Sequence, residues 1–512
     1  MNSPISKDSK LIVYNTFFLY TRLFFVTIIS LYTSRIILFE LGVEDFGIYN
    51  LVGGIVFILG IMQSIMSSAI SRYFMIEVAK ENILKLNKYF SMSILMLVPL
   101  ALFVILMSET FGLWFLNNKL LIPQNRLHSS NYVYQLSIVA FVINLFMIPF
   151  MSLLIAHEKM KIYAYIGIIE IIMKLLIAYS LSVVESDKLI IYSILSTLVV
   201  LLIFTVNYIY CKTNFKQLKF YKKWNNSIFN EMFQYSIWSL FGAISTIIKN
   251  QGINMLLGVF FNPVINAARA IAYQVSEGIN QFSNNFFSAV RPQITKRFAK
   301  DEKDNMLSLV LISSKLSYYL ILIIALPVIF ELKYILNLWL GRPPIKTELF
   351  TRLVIITALI ETLAYPLITA INATGKIKNY QIITGSILIF TLPASYLFLK
   401  LDYPPESTMY VSIIIAILAQ ISRLIFMKLL HNFSILLYFK EVILIVILVT
   451  VFSSIIPLII INFYPSSYFR FLLIICLTII NIIVFIYYIG LSKVEKNLLK
   501  NIITHLKLKY FK

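Results

Sequence analysis

The chain has 512 residues, of which 59% are apolar, 15% aromatic and only 13% charged. A soluble protein carries about 25% charged residues, so this composition, with repeated apolar runs of about 20 residues, excludes a soluble globular chain and requires lipid as the medium. The net charge of +21 would suggest nucleic acid in a soluble protein; here lysines and arginines gathered on one side of a membrane explain it, and no nucleic-acid partner is expected.

Hydropathy predicts about fourteen spans, at 11–34, 47–70, 89–112, 132–156, 163–183, 189–211, 229–258, 264–290, 307–330, 349–373, 380–400, 408–430, 441–462 and 468–491. The first is too long for a signal-peptide core and has no small-residue cleavage site behind it, so it reads as a retained span. Asn15, Arg22 and Thr33 align on it, with no acidic residue between Leu11 and Ser34. Arg22 is about eleven residues deep, near the bilayer midplane at 1.5 Å per residue, where snorkelling is least credible. A short outer turn, "LGVEDFGIYN" from Leu41, leads into the second span, and the basic amphipathic stretch 71–89 follows it. Pro99 and Pro149 can kink the next two spans.

Span five carries Glu170 and Lys174 at i and i+4. They read either as an ion pair within one helix or as a second polar patch or proton relay. The basic segment 211–226 separates spans one to six from the rest. The expected organisation is therefore a six-helix bundle over 1–211, a cytoplasmic linker over 212–228, a second six-helix bundle over 229–430, two further helices over 431–491 and a basic amphipathic tail over 492–512. Cys211 and Cys476 both sit in or beside apolar runs, so no disulfide framework is expected.

In span seven, Ser239, Gly242, Ser245, Thr246 and Lys249 share a face, and "KNQGIN" (249–254) places a weak helical stretch near the outer side. Small residues there serve close helix packing or a cavity equally well. In span eight, at about 100° per residue, Asn266, Arg269, Tyr273, Glu277, Asn280 and Asn284 fall within roughly a third of the circumference. Ile271, Val275, Ile279, Phe282 and Phe286 fall opposite. One face suits lipid or other helices, the other water or a polar substrate. Arg269 lies about six residues past the outer turn, so outward snorkelling accounts for it as well, and Lys249 shares that alternative. Further on, Glu361 near Pro366 can titrate, Lys315, Arg352 and Arg423 read as anchors near span ends, and Pro327, Pro366, Pro393 and Pro457 as kinks. The tail sets Leu498, Leu499, Ile502, Ile503 and Leu506 at helical spacing opposite lysines, as in a helix lying on an anionic leaflet or a plain positive anchor.

With the N-terminus inside, about 28 of the 44 lysines and arginines fall on cytoplasmic segments, about 9 on outer ones and about 7 within spans. That bias predicts an even number of spans with both termini cytoplasmic. The halves also resemble each other: "LGVEDFGIYN" matches "LGVFFNPVIN" at Leu41/Leu257, Gly42/Gly258, Val43/Val259 and Asn50/Asn266. Such repeats are common in transporters, with the substrate at their interface. Within spans one, seven and eight the charges without an evident partner are Arg22, Lys249 and Arg269, against Glu277. A cationic cavity rich in hydroxyls and amides suits an anionic, sugar-like substrate, with arginine gripping phosphate oxygens and lysine acting as a point charge. The candidate substrate-binding residues are Arg22, Lys249, Arg269, Tyr273 and Asn280; the candidates for ion coupling are Glu277, Glu170 and Glu361. The four histidines are scattered, and no metal spacing, nucleotide-binding glycine loop or nucleophile elbow is present, so no metal, cofactor or enzymatic chemistry is expected.

Three stretches, "TSRIILFELGVEDFGIYNLVGGIVFILG" (33–60), "NPVINAARAIAYQVSEGINQF" in span eight and "RPQITKRFAK" (291–300), resemble the bacterial polysaccharide flippases of Wzx type. These belong to the MATE-like multidrug/oligosaccharidyl-lipid/polysaccharide (MOP) superfamily. The resemblance implies an all-α polytopic membrane protein with two six-helix repeats in a MATE-like fold plus two C-terminal helices. It implies a flippase of the bacterial inner membrane for undecaprenyl-diphosphate-linked repeat units of O-antigen, capsule or exopolysaccharide. The glycan head group would occupy a central cationic cavity and the tail a lateral gap in lipid, with membrane lipids and polysaccharide polymerase machinery as further partners. The alternative is an ion-coupled drug or metabolite exporter on the same fold, disfavoured by the lack of a carboxylate in span one.

Overall fold

The computed structural model describes residues 4–57, 60–118, 122–183, 185–261, 263–493 and 495–497. The leucines and isoleucines of the basic tail lie outside the described residues. Helix accounts for nearly all that is described, and no strand occurs among the described residues. The helices are α1 (Pro4–Phe57), α2 (Gly60–Ala79), α3 (Ile83–Asn118), α4 (Gln124–Ala156), α5 (Met160–Val183), α6 (Lys188–Asn214), α7 (Asn226–Phe260) and α8 (Pro263–Ala299). They continue as α9 (Lys303–Phe330), α10 (Leu332–Leu340), α11 (Thr347–Thr362), α12 (Ala364–Thr374), α13 (Lys378–Lys400), α14 (Ser407–His431), α15 (Ile435–Phe463) and α16 (Tyr468–Gly490).

Among the described residues ten helices are long and apolar enough to cross a membrane, or eleven if α11 and α12, bent by 40°, count as one span. The fourteen predicted from sequence are not reached on that criterion. The helices left out are the nine-residue α10 and the longer α2, α7 and α8. At 35 and 37 residues, α7 and α8 are about 50 Å long, ample for a hydrocarbon core of about 30 Å. What they lack is an unbroken apolar run, because Lys249, Arg269, Glu277 and the asparagines interrupt it.

Breaks in the helices have local causes. Gly42 adopts φ 76°, ψ 169°, which interrupts α1 between its first span and residues 43–57; a side chain would be strained there. Pro366 removes the hydrogen bond to the carbonyl of Thr362 and Pro393 that to Ile389, which places the bend after α11 and the irregular step inside α13.

The chain divides into two compact units, Asn15–Leu240, and Phe241–Lys512 with Met1–Tyr14. The division falls inside α7. In the first unit α4 packs on α2, α3 and α6, and α5 on α6. In the second, α8 packs on α9, α11 and α12, while α14 covers α11, α12 and α13. Ala268 and Ala272 of α8 are fully buried against Phe350, Leu353 and Val354, so small residues let these helices approach closely. Helices α15 and α16 pair with each other and pack on α9.

The repeat is visible inside each unit, though not where the sequence alignment put it. Gly42 breaks a helix, whereas Gly258 stays within α7, so the two are not equivalent in conformation. The better match is at the turns. Glu81 after α2 and Asp301 after α8 both take left-handed backbone, φ 55° and 58°. The Asn82 N–H bonds to the Glu77 carbonyl and the Glu302 N–H to the Arg297 carbonyl, both at 3.0 Å, the same helix-ending pattern. Glu158 and Gly375 likewise precede Lys159-Met-Lys161-Ile-Tyr163 and Lys376-Ile-Lys378-Asn-Tyr380, with φ 57° and 75°.

Candidate functional site

Arg22 belongs to the unit Asn15–Leu240. Its guanidinium lies 4.9 Å from the centre of the Tyr163 ring on α5, within cation–π range. It passes over Gly167 one turn further along α5, where a Cβ would overlap its Nε. The buried Nε has no hydrogen-bond partner. The rest of the polar line on α1 is similar: Asn15 and Thr33 are 1% and 4% exposed, and Asn15 Nδ2 and Thr33 Oγ1 are also without partners. Buried polar atoms are satisfied in the great majority of cases. A line of unsatisfied ones marks a face made for something other than apolar packing.

Tyr163 also lines a cavity of about 800 Å³ within this unit, in the range of small-molecule sites. Gln63, Ser64 and Ser67 of α2 and Ser137 and Asn144 of α4 supply its amides and hydroxyls, Ile148, Met151 and Ile155 its apolar wall. No carboxylate lines it among the described residues. A smaller cavity of about 200 Å³ shares Ser137 and Ala140 with it and reaches Lys174 and Tyr49. Lys174 is bound to Glu170 at 2.6 Å within α5, with the side chains 40% and 34% exposed.

The other sequence-derived candidates lie in the second unit. Lys249 is not an unpaired cation: its Nζ is 3.0 Å from Glu361 Oε1, the lysine 6% and the glutamate 42% exposed. This corrects the charge balance drawn from spans one, seven and eight, and it assigns Glu361 a partner. Of the small residues of α7, Gly242 and Ser245 serve close packing, whereas Thr246 is exposed. A Cβ at Gly242 would collide with the Gln381 side chain, and Gly385 sits against Phe241 and Ser245.

Arg269 is 3% exposed, so it does not snorkel to water. It stacks 4.3 Å from the Tyr273 ring, one turn on, and donates from Nη1 to Asn254 Oδ1 of the "KNQGIN" stretch. Its Nε and Nη2 are buried without partners. Asn280 donates to Ser276 Oγ at 3.4 Å, and Glu277 is exposed. The anchors read from sequence also change. Lys315 is buried in an ion pair with Glu495 at 2.8 Å, and only Arg352, paired with Glu348 at 2.7 Å, is largely exposed. Arg423 is 8% exposed, its Nε unpartnered and its Nη1 3.5 Å from Gln420 Oε1.

The structure therefore brings Arg22 against Tyr163, a wall residue of a mainly apolar cavity that also carries amides and hydroxyls, and Lys249 against Glu361. Arg269, Tyr273, Asn280 and Glu277 share α8. Sequence reasoning missed the cavity wall. Gln63 and Ser67 stand one turn apart and Ser137 and Asn144 two turns apart, which a helical wheel drawn on α2 and α4 would have aligned. It also missed Arg423, which lies close enough to the end of α14 to pass for an anchor.

No protein-family model matches the chain, and no curated protein matches it in sequence. Solved structures do. An outward-facing multidrug resistance MATE family transporter of the MOP superfamily is similar with a TM-score of 0.70 at 10% identity, over 83% of this chain and 97% of that one. A MATE in complex with MaD3S gives 0.69 at 10%, over 82% and 97%. The MATE transporter ClbM in complex with Rb+ gives 0.63 at 12%, over 84% and 96%. At these identities the likeness is one of fold. The chain is a multi-pass membrane protein with the fold of MATE transporters.

Proposed function

We propose that the chain is a flippase that moves polyprenyl-diphosphate-linked oligosaccharides across the bacterial inner membrane by alternating access. It would serve O-antigen, capsule or exopolysaccharide synthesis beside the polymerase machinery. The observation that carries the reading is Arg22: a cation deep in α1, stacked on a wall residue of a mainly apolar cavity that also offers hydroxyls and amides, with no carboxylate beside the cation or in the cavity wall among the described residues. Such a group is costly in a membrane without a partner, and phosphate oxygens are the partner that a guanidinium fork fits best. Arg269, buried with two unsatisfied nitrogens, is a second anion-seeking group. Helices α2, α7 and α8, added to the eleven apolar spans, would complete fourteen crossings. Replacement of Arg22 by alanine should reduce polymer export at normal protein levels; unchanged export would remove this site.

The alternative is an ion-coupled exporter of drugs or metabolites. The exposed Glu277 favours it, because a carboxylate in a span can carry a proton or a cation. Drug susceptibility of a sensitised strain separates the readings: the flippase gives no protection, the exporter does.

A further inference from the structure

Between α6 and α7 the chain carries Lys216, Lys219, Lys222 and Lys223, with Lys212 in the last turn of α6, and no acidic residue occurs between Asp187 and Glu231. In sequence this is a basic connection; in the structure it is a fixed strap. Asn87 of α3 donates from Nδ2 to the Gln217 carbonyl at 2.9 Å and accepts the Lys219 N–H on Oδ1 at 3.1 Å. One turn on, Ser91 Oγ accepts the Tyr221 N–H at 2.8 Å. The spacing explains the fit: helix positions i and i+4 are about 6 Å apart, and two residues of extended chain advance about 6.6 Å. Backbone bonds hold the strap, so its lysine side chains are not needed to keep it in place.

The strap closes one side of a cavity of about 450 Å³. His157 at the end of α4, Thr213 and Asn214 at the end of α6, and Lys216 and Gln217 of the strap line it, and no carboxylate does among the described residues. The His157 ring stacks on Phe215 with centroids 4.4 Å apart and donates from Nδ1 to the Leu153 carbonyl at 3.0 Å. Further along the strap Phe220, Tyr221 and Trp224 are 46%, 38% and 44% exposed. Helix α6 is apolar and long enough to span a membrane, so a strap that begins at its end lies at headgroup depth, and the lysine count directs this end inward. Interleaved lysines and aromatic rings just beyond a span suit an anionic lipid surface.

We propose that the strap and its cavity bind the phosphate headgroup of an anionic glycerophospholipid, with the aromatic rings at the interface and Lys216 beside the phosphate. The inference is independent of what the protein transports. Full-length protein in detergent, offered equimolar phosphatidylglycerol and phosphatidylcholine, tests it by native mass spectrometry. Wild type should retain phosphatidylglycerol preferentially. Each lysine near the surface is worth about fivefold in affinity, so K219A/K222A/K223A should lower the preference about 100-fold. H157Q/K216Q, which alters the cavity and leaves the Asn87 and Ser91 bonds intact, should lower it at least about fivefold. Both variants should keep the wild-type unfolding temperature. An unchanged preference in H157Q/K216Q would exclude the cavity as the site, and no preference in wild type would overturn the proposal outright. Displacement of the lipid by millimolar inorganic phosphate would identify a free-phosphate site instead and also overturn it.

Discussion

Gly167 offers a way to disturb Arg22 without touching it. An alanine Cβ there would stand 3.1 Å from Arg22 Cδ and Cζ and overlap Nε. The obstructing atoms are the far end of a flexible side chain, so the guanidinium can swing away at small cost. Alanine in place of glycine also stabilises a helix interior by about 0.5–1 kcal/mol. We therefore expect G167A to fold at least as well as wild type while the guanidinium leaves the Tyr163 face, losing a cation–π contact of about 0.5–2 kcal/mol. Removing the charge altogether with R22A forfeits charge-assisted bonds to the head group worth about 1.5–3 kcal/mol, or about 10- to 150-fold in transport. If both act through one geometry, the double variant should be no worse than R22A alone. The assay is glycan export from cells at matched protein levels. Full export by R22A, or an additive loss in the double variant, would refute the reasoning.

Three further outcomes concern the ion pairs. E361Q leaves Lys249 buried without a carboxylate and should destabilise by about 1–3 kcal/mol in thermal unfolding, the half-exposed glutamate keeping the loss below that of a fully buried pair. Lys315 and Glu495 are both buried, at 3% and 8%, so K315M should cost about 3–5 kcal/mol and K315M/E495L should recover most of it. Asp187 is held below the usual carboxyl range. Burial opposes its ionisation, but Ser129 Oγ at 2.6 Å, the Ile190 N–H and the Arg126 guanidinium outweigh that. A lowered folded pKa means its stabilisation is present above an unfolded value of about 3.9 and lost as pH falls through the folded one. D187N should flatten the acid side of the unfolding-temperature profile below about pH 4.

The depth of Arg22 in an acid-free span was legible in the sequence, because helical rise converts position into depth. Its setting was not, since Tyr163 and Gly167 lie on a different helix far along the chain. Lys249 shows the same limit: its partner Glu361 is 112 residues away, and a wheel drawn on one helix cannot contain it. Counting apolar windows in the sequence predicted about fourteen spans; the described helices that are long and apolar enough fall short of that on α2, α7 and α8, where polar residues interrupt the run. The sequence alignment of the halves, Gly42 with Gly258, pairs positions of different conformation, whereas left-handed residues recur at Glu81 and Asp301 and at Glu158 and Gly375. Only backbone angles reveal that acidic residues and a glycine occupy one conformational role.

Transport of a phosphorylated glycan lipid should depend on Arg22. Purified protein in vesicles carrying a fluorescent polyprenyl-diphosphate glycan on one leaflet measures this directly, with R22A alongside. Wild type should move the glycan lipid across and R22A should slow it at least about tenfold. Equal rates in the two, or movement of an organic cation with none of the glycan lipid, would contradict the account.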